Sequence, residues 1–444
     1  MSPDFVRRMS APVPRYTSYP TAAQFRNTVG ERDFAEALLE LEDETPFSLY
    51  VHVPFCKKLC WYCGCNMKVA RTKEPVVRYF AALEAELRAV AALGLSKHKI
   101  SYMHWGGGSP NILTGEQILA LTARIRDSFE IDASAEFAVE IDPREASASL
   151  AHALKRAGVN RVSIGVQDFD HTVQTAINRL QSFEVTSACV DSLRDAGIDN
   201  INVDLVYGLP LQTRSGIERT VEQVLALQPN RVTLFGYAHL PSRFAHQSII
   251  DATTLPDSVE RFAQSQRAAR MLAAAGYVRI GLDHFALKND PLARGPVRRN
   301  FQGYTTDTSE TLVGVGPSAI SCVGSAYFQN VSSPAEYEER IAATGLATTR
   351  GVKLTDEDRV RRYVIAKLMC DFSYSESNVR ERFGAAASRV ILEGREMVEA
   401  DIAGLLEKVE DGFVVTPRGQ PFVRSIAACF DTYLGSDMRC APAV

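Results

Sequence analysis

The sequence predicts an α/β fold: an incomplete (β/α)6 TIM-like barrel with an N-terminal arm and a small, mainly helical C-terminal domain. Three observations carry that prediction. Short β-rich runs alternate six times with amphipathic helical patterns, the signature of a parallel sheet. Each run stops in Gly, Pro, Asp or Gln. Polar and glycine-rich residues gather just after the runs, where parallel α/β folds place their active sites. Right-handed crossovers curl such repeats one way, and six units leave the barrel open-sided. A doubly wound open sheet shares this periodicity and is the rival topology.

The elements follow in order. Residues 1–46 form the arm. Residues 47–350 form the barrel and its extension, with "FSLYVHVPF" (47–55), "ISYMHWGGGS" (100–109), "EFAVEIDP" (136–143), "RVSIGVQDF" (161–169), "INVDLVYGLP" (201–210) and "RVTLFGYAHLP" (231–241) as strands. Between the first two, "EPVVRYFAALEAELRAVAALG" has Pro75 near its start and Gly94 at its end, the usual helix punctuation. Thr114 followed by Gln117 opens the next helix as a capping box. Residues 351–444 change texture. "LTDEDRVRRYVIAKLM", "SESNVRERFG" and "RVILEGREMVEADIAGLL" read as helices, and "QPFVRSIAACFDTYL" as a last one. "LEKVEDGFVVTPRG" reads as a hairpin turning at Asp411–Gly412. This winged-helix-like domain is not notably basic, so a lid over the barrel is its expected role.

Composition narrows the class. Hydrophobic residues make up 46% and charged residues 23%, ordinary for a soluble globular protein. A net charge of −4 gives no global argument for nucleic acid or a membrane surface. No apolar run approaches the roughly 20 residues that cross a bilayer, and the start lacks a signal-peptide core. The expected location is the cytoplasm, where clustered thiols are metal ligands or catalytic groups rather than disulfides.

Four of the nine cysteines crowd into "FCKKLCWYCGC" (55–65). Cys189, Cys322, Cys370, Cys429 and Cys440 are scattered and read as small apolar residues. Cys56, Cys60 and Cys63 make a C-x3-C-x2-C run, with Cys65 two residues on. Such thiolates bind zinc or iron–sulfur centres. Structural zinc usually takes two separated pairs, and the sequence has no second pair. Three thiolates on one loop suit a [4Fe–4S] cluster with one iron open to a ligand. In "HWGGGSP" (104–110) the glycines let backbone N–H groups approach a charged ligand.

A C-x3-C-x2-C loop after a first strand, followed by a glycine-rich strand end, resembles the radical S-adenosylmethionine (SAM) enzymes. The resemblance implies that SAM chelates the open iron, and that its reductive cleavage gives a 5′-deoxyadenosyl radical. The match narrows with "PRYTSYPTA" (14–22), "SLYVHVPFCKKLCWYCGCN" (48–66), "EIDPRE" (140–145), "GVQDF" (165–169), "DLVYGLP" (204–210), "YAHLP" (237–241), "IGLDHFAL" (280–287), "RNFQGYTT" (299–306), "GVGPSAIS" (314–321) and "CFDTYL" (429–434). Over residues 14–434 the chain is similar to the oxygen-independent coproporphyrinogen III oxidases. These convert two propionates of coproporphyrinogen III to vinyl groups, giving protoporphyrinogen IX in heme biosynthesis.

That resemblance implies Cys56, Cys60 and Cys63 as cluster ligands, with Cys65 required beside them without ligating. Tyr50, Gly107, Glu140 and Ile320 match positions around the SAM on the cluster, and Tyr50 is also a catalytic candidate. Tyr62, Gly108, Ser109, Gln167, Arg179, Asp204 and Ala238 match positions around a second SAM. Tyr62 stands where Phe is common and Ser109 where Thr is common; both keep a stacking face and a hydroxyl. Arg15, Lys58, Arg243 and Arg299 are candidate cations for the substrate carboxylates, and Gln302 a further neighbour. His52 reads as a packed, hydrogen-bonded residue, while His104, His239 and His284 are minor candidates for proton handling. The implied partners are the substrate and an electron donor such as a flavodoxin or ferredoxin, with a monomer, no nucleic acid and no membrane. The alternatives are a radical-SAM-like heme chaperone, which Cys65 and the N-terminal arm speak against, and another tetrapyrrole-processing radical enzyme.

Overall fold

Each of the six β-rich runs becomes a strand: β1 (Phe47–Val53), β2 (Lys99–Gly107), β3 (Glu130–Ile141), β4 (Arg161–Gln167), β5 (Asn200–Tyr207) and β6 (Arg231–Gly236). A computed structural model describes residues 1–42, 44–435 and 442–443; Cys440 lies outside the described residues. Neighbouring strands pair in parallel in the order β1-β2-β3-β4-β5-β6. That order does not reverse, which separates the fold from a doubly wound sheet. Helices α1 (Glu74–Ala92), α2 (Gly115–Ser128), α3 (Ala148–Ala157), α4 (Phe183–Asp195) and α5 (Arg214–Ala226) make the crossovers, and α6 (Ser258–Ala274) follows β6. The capping box at α2 forms: Thr114 Oγ1 accepts from Gln117 N at 3.2 Å, and Gln117 Oε1 from Thr114 N at 3.0 Å.

The sheet is wider than six strands. β7 (Tyr277–Ile280) and β8 (His284–Leu287) extend it beyond β6. On the other flank β9 (Thr311–Val315) runs parallel to β1, followed by antiparallel β10 (Ile320–Val323), β11 (Ala326–Asn330) and β12 (Thr348–Lys353). The full order is β12-β11-β10-β9-β1-β2-β3-β4-β5-β6-β8-β7, and among the described residues the two edge strands do not pair to close a barrel. The boundary expected at 350/351 falls inside β12. The parallel strands are apolar along most of their length because helices cover them: Val51, Trp105, Val139, Ile164, Val203 and Val232 are all fully buried.

A buried carboxylate ties the β9–β10 turn to α1. Glu86, 2% exposed, accepts from Gly316 N at 2.7 Å, Tyr337 Oη at 2.6 Å and Asn330 Nδ2 at 2.6 Å. Burial outweighs these three donors and raises its carboxyl from an ordinary 4.5 to about 7. A raised value means that the folded state holds the proton more tightly than the unfolded chain. Its contribution is therefore fully present below pH 4.5 and is lost as pH rises through 7. The stability advantage of wild type over Glu86→Gln should shrink by about 3 kcal/mol between about pH 4.5 and about pH 7.5. Denaturant titrations of both proteins across that range test this; a pH-independent difference refutes it.

A second apolar cluster joins the two ends of the chain. Phe5, Val13, Tyr16 and Tyr19 of the arm pack with Val360, Val364 and Leu368 of a helix at Asp356–Asp371, and with Phe413, Phe422 and Phe430. Tyr16 Oη donates to Asp431 Oδ2 at 3.0 Å, and Arg424 donates to the carbonyls of Val13 and Pro14. A three-stranded sheet completes this end, formed by Ser373–Ser375, Leu406–Val409 and Gly412–Val415. Val409 pairs with Gly412, so the hairpin turns at Glu410–Asp411 and not at Asp411–Gly412. Gly412, at φ 112°, closes it, with its Cα against the Tyr374 carbonyl. The last helix is also shorter than expected, Val423–Ala428.

Candidate active site

The C-terminal ends of β1–β6 converge on one cavity of about 890 Å³. Cys56, Cys60, Cys63 and Cys65 line it, as do Tyr62, Gly107, Gly108, Ser109, Glu140, Gln167, Arg179, Asp204, Ala238 and Ile320. Tyr50 does not reach this wall. Its hydroxyl is 3.0 Å from His52 Nδ1 and its ring stacks on His104, one layer behind Glu140. His52 is bonded at both nitrogens, with Nε2 2.9 Å from the Asn66 carbonyl. Residues 13–18 and 21–23 of the arm form part of the wall. No described residue beyond Arg350 lines it, so the C-terminal segment covers the cavity only through the arm that it holds.

The cysteine loop is held by its peptide carbonyls. Asn178 Nδ2 donates to Leu59 O at 2.7 Å, Gln247 Nε2 to Tyr62 O at 2.9 Å, and His246 Nε2 lies 2.7 Å from Cys63 O. Trp61 N donates to Ile177 O at 2.9 Å, and Ala70 N to Cys56 O at 3.0 Å. Apart from Ala70, these clamps come from the loops after β4 and β6, which tie the cysteine loop to those strand ends. Gln247, 1% exposed, also donates to Ala238 O and accepts from Leu240 N. Gln247→Leu leaves those three backbone groups without partners. An expected loss of about 1–3 kcal/mol in folding stability follows, with lower iron retention after reconstitution; unchanged melting and iron content would falsify the clamp.

Electrostatics differ from thiol to thiol. Cys60 Sγ accepts from Arg179 Nη1 at 3.6 Å and Arg144 Nη2 at 3.7 Å. Both guanidiniums are anchored on Asp142, at 3.3 and 2.6 Å. Burial pushes the Cys56 thiol up to about 12. Cys63 is drawn down because the Cys65 thiol and N–H donate to it, the N–H at 3.4 Å, and Cys65 is correspondingly pushed up. Among the described residues no three Cys, His, Asp or Glu side chains are gathered to hold one ion. The three thiols instead share the rim of a large cavity, and that arrangement suits a multi-iron cluster better than zinc.

The glycine-rich strand end serves packing. Gly108 N donates to Val53 O and Ser109 N to Phe55 O, both at 2.8 Å, and Gly107 N to Glu140 Oε2 at 3.3 Å. The N–H groups expected to meet a ligand are thus spent on β1 and Glu140. Gly107 has φ 108°, and a Cβ there would lie 2.5 Å from the His52 ring.

Two carboxylates face the cavity with shifts of opposite direction. Burial would raise Glu140, but the His104 hydrogen bond at 3.0 Å, the His104 charge and the Gly107 N–H hold it below the usual range. Burial and the Glu140 charge raise Asp204, against hydrogen bonds from Ser163 and Asn202. Gln167 ends β4 at a register shift with φ 70°, a conformation rare outside glycine. Arg15, Lys58 and Arg243 line the wall. Arg299 does not: it is buried on Asp283 at 3.4 Å and over the Tyr304 ring at 4.4 Å. Phe301 lines it and Gln302 does not. His239 bonds Tyr237, and His284 bonds Asp283. Asp142, Arg144, Asn178, His246 and Gln247 also build the site, and of these only Asp142 and Arg144 fall in a sequence motif, "EIDPRE" (140–145).

Residues 50–224, from within β1 to within α5, match the family model described as the Radical SAM superfamily, the class to which fold and site point. The oxygen-independent coproporphyrinogen III oxidase of Bradyrhizobium diazoefficiens is 43% identical over 95% of this chain and 95% of its own length. That of Escherichia coli is 40% identical over 96% of this chain and 94% of its own. The solved structure of coproporphyrinogen III oxidase (HemN) from Escherichia coli, a radical SAM enzyme, superposes with a TM-score of 0.90 at 40% identity, covering 95% of this chain and 98% of that one. The chain belongs to the oxygen-independent coproporphyrinogen III oxidase family.

Proposed function

We propose that this chain converts two propionates of coproporphyrinogen III to vinyl groups with loss of carbon dioxide, giving protoporphyrinogen IX without oxygen. The observation that carries this reading is the single cavity in which the cysteine loop, two carboxylates of opposite tendency and several arginine and lysine side chains share one wall. Cys56, Cys60 and Cys63 would hold a [4Fe–4S] cluster. Glu140, Gly107 and Ile320 would border the SAM on it; Tyr62, Gly108, Ser109, Gln167, Arg179, Asp204 and Ala238 would border a second. When bound, cluster and SAM supply a reductively generated carbon radical that takes a hydrogen atom from an unactivated C–H bond.

The chain's own part is positioning and exclusion. The clamped loop fixes the thiols against the strand ends, and Tyr62 and the arm keep water from the inner cavity. Glu140, ionised, suits an ammonium group or ribose hydroxyls, and the cations at the wall suit substrate carboxylates. A small flavin or iron–sulfur protein as electron donor, and action as a monomer, belong to the same proposal. No helix of the described residues is long and apolar enough to cross a membrane.

Anaerobic incubation of the reconstituted protein with coproporphyrinogen III, SAM and a reductant tests the reading. Product mass should show loss of two carboxyl groups. Unchanged substrate beside an intact cluster rejects it, and tight heme binding without turnover would favour the chaperone alternative.

A further inference from the structure

Charges along the cavity wall differ in whether they are paired. At the cysteine end Arg144 and Arg179 are held on Asp142, with Glu140 and Asp204 nearby, while Arg243 and Arg350 stand exposed on the same wall. These two arginines come from opposite flanks of the sheet. Arg243 lies in the loop after β6, and Arg350 lies on β12, the far edge strand. The curl of the sheet brings both into the lining of one cavity, where burial and then the Arg243 charge act on the Arg350 guanidinium.

Both are held ready. Arg350 donates through Nε to Gln329 Oε1 at 2.8 Å, which fixes its stem and leaves the terminal nitrogens facing outward from that bond. The Arg243 guanidinium lies 5.4 Å from the centre of the Phe244 ring. Among the described residues neither forms an ion pair with a carboxylate. Arg15, by contrast, donates to the Gly236 carbonyl at 2.8 Å and sits in the field of Asp283, and Arg299 is consumed by Asp283. Two like charges set together without an anion are a costly arrangement that a carboxylate relieves, and the guanidinium fork matches its two oxygens.

We propose that Arg243 and Arg350 form a carboxylate-binding subsite at the mouth of the cavity, taking a propionate of the substrate that is not reacting. The inference rests on the function proposed above. A tetrapyrrole that presents one propionate to the inner end of the cavity, at Glu140 and Asp204, must leave others toward its exposed rim, where these arginines stand. Arg243 also sits on the loop whose His246 and Gln247 clamp the cysteine loop, so a carboxylate bound there steadies the same clamp.

The test uses air-stable coproporphyrin III and its tetramethyl ester as fluorescent probes of the reconstituted protein. Arg243→Gln/Arg350→Gln should weaken the tetra-acid about tenfold or more, with the ester changed less than about twofold. In turnover KM should rise by a similar factor with kcat little changed, and Arg243→Lys/Arg350→Lys should recover part of the affinity. Wild-type affinity for the tetra-acid in the Gln variant, or equal losses for acid and ester, overturns the subsite while leaving the proposed reaction standing. A wild-type protein that neither binds nor converts the tetra-acid overturns both.

Discussion

Cys60→Ala is expected to give a folded chain that holds no cluster after anaerobic reconstitution and has lost turnover by at least about three orders of magnitude, since no side chain can replace the cofactor's chemistry. Cys60 is the most buried thiol of the loop, at 6% exposure, and among the described residues it is contacted by two guanidiniums. Its removal takes away a ligand and leaves Arg144 and Arg179 facing a void beside Asp142. Cys65→Ala should behave differently. Cys65 donates to Cys63, so its loss should leave iron bound while impairing turnover. Iron and sulfide analysis with electron paramagnetic resonance of the reduced protein separates the two. Full iron in Cys60→Ala would remove the three-thiol assignment.

Gly108→Ala should be nearly as damaging, through geometry and not chemistry. A Cβ there would lie 2.5 Å from the Phe55 carbonyl oxygen and 2.9 Å from its nitrogen, both backbone atoms that cannot rotate away. Phe55 immediately precedes Cys56, and Ser109 N is bonded to the same carbonyl. The strand end and the cysteine loop must therefore separate by about 1 Å. Displacement of that size near reacting groups costs on the order of a hundredfold in rate, and overpacking costs about 1–3 kcal/mol in stability. The outcome to look for is retained folding, a cluster with altered electronic spectrum and sharply reduced kcat. Wild-type kcat in Gly108→Ala would show that the close approach is dispensable.

Much of the site was legible before any coordinates. Strand ends are marked by local chemistry: Pro54, Gly106–Gly108, Pro143 and Pro210 each stop a β-rich run. Topology then carries whatever follows those stops to one mouth, so Glu140, Gln167, Asp204 and Ala238 could be placed together without knowing a distance. The spacing of the cysteines carried the rest. What misled was treating polarity near a stop as exposure to a ligand. Arg299 and the Gly108 N–H look available in sequence, yet Asp283 and Val53 O occupy them. Tyr50 shares the inner face of the sheet with Glu140 but stops short of the cavity wall, because its ring stacks on His104 and its hydroxyl is held by His52 two residues on, on the same face of β1.

Sequence alone determined the six strands, the helices between them and the loop that gathers the thiols, because periods of 2 and 3.6 residues and glycine or proline stops are properties of neighbouring residues, whereas the unreversed strand order was decided by the tertiary structure. Only the tertiary structure decided that the arm walls the cavity, that Gln247 and Asn178 grip the cysteine loop, and that Arg243 and Arg350 line one cavity. Those contacts join residues far apart in the chain. They depend on how far the sheet curls and which faces pack, quantities set by the sum of all contacts and not by any local pattern.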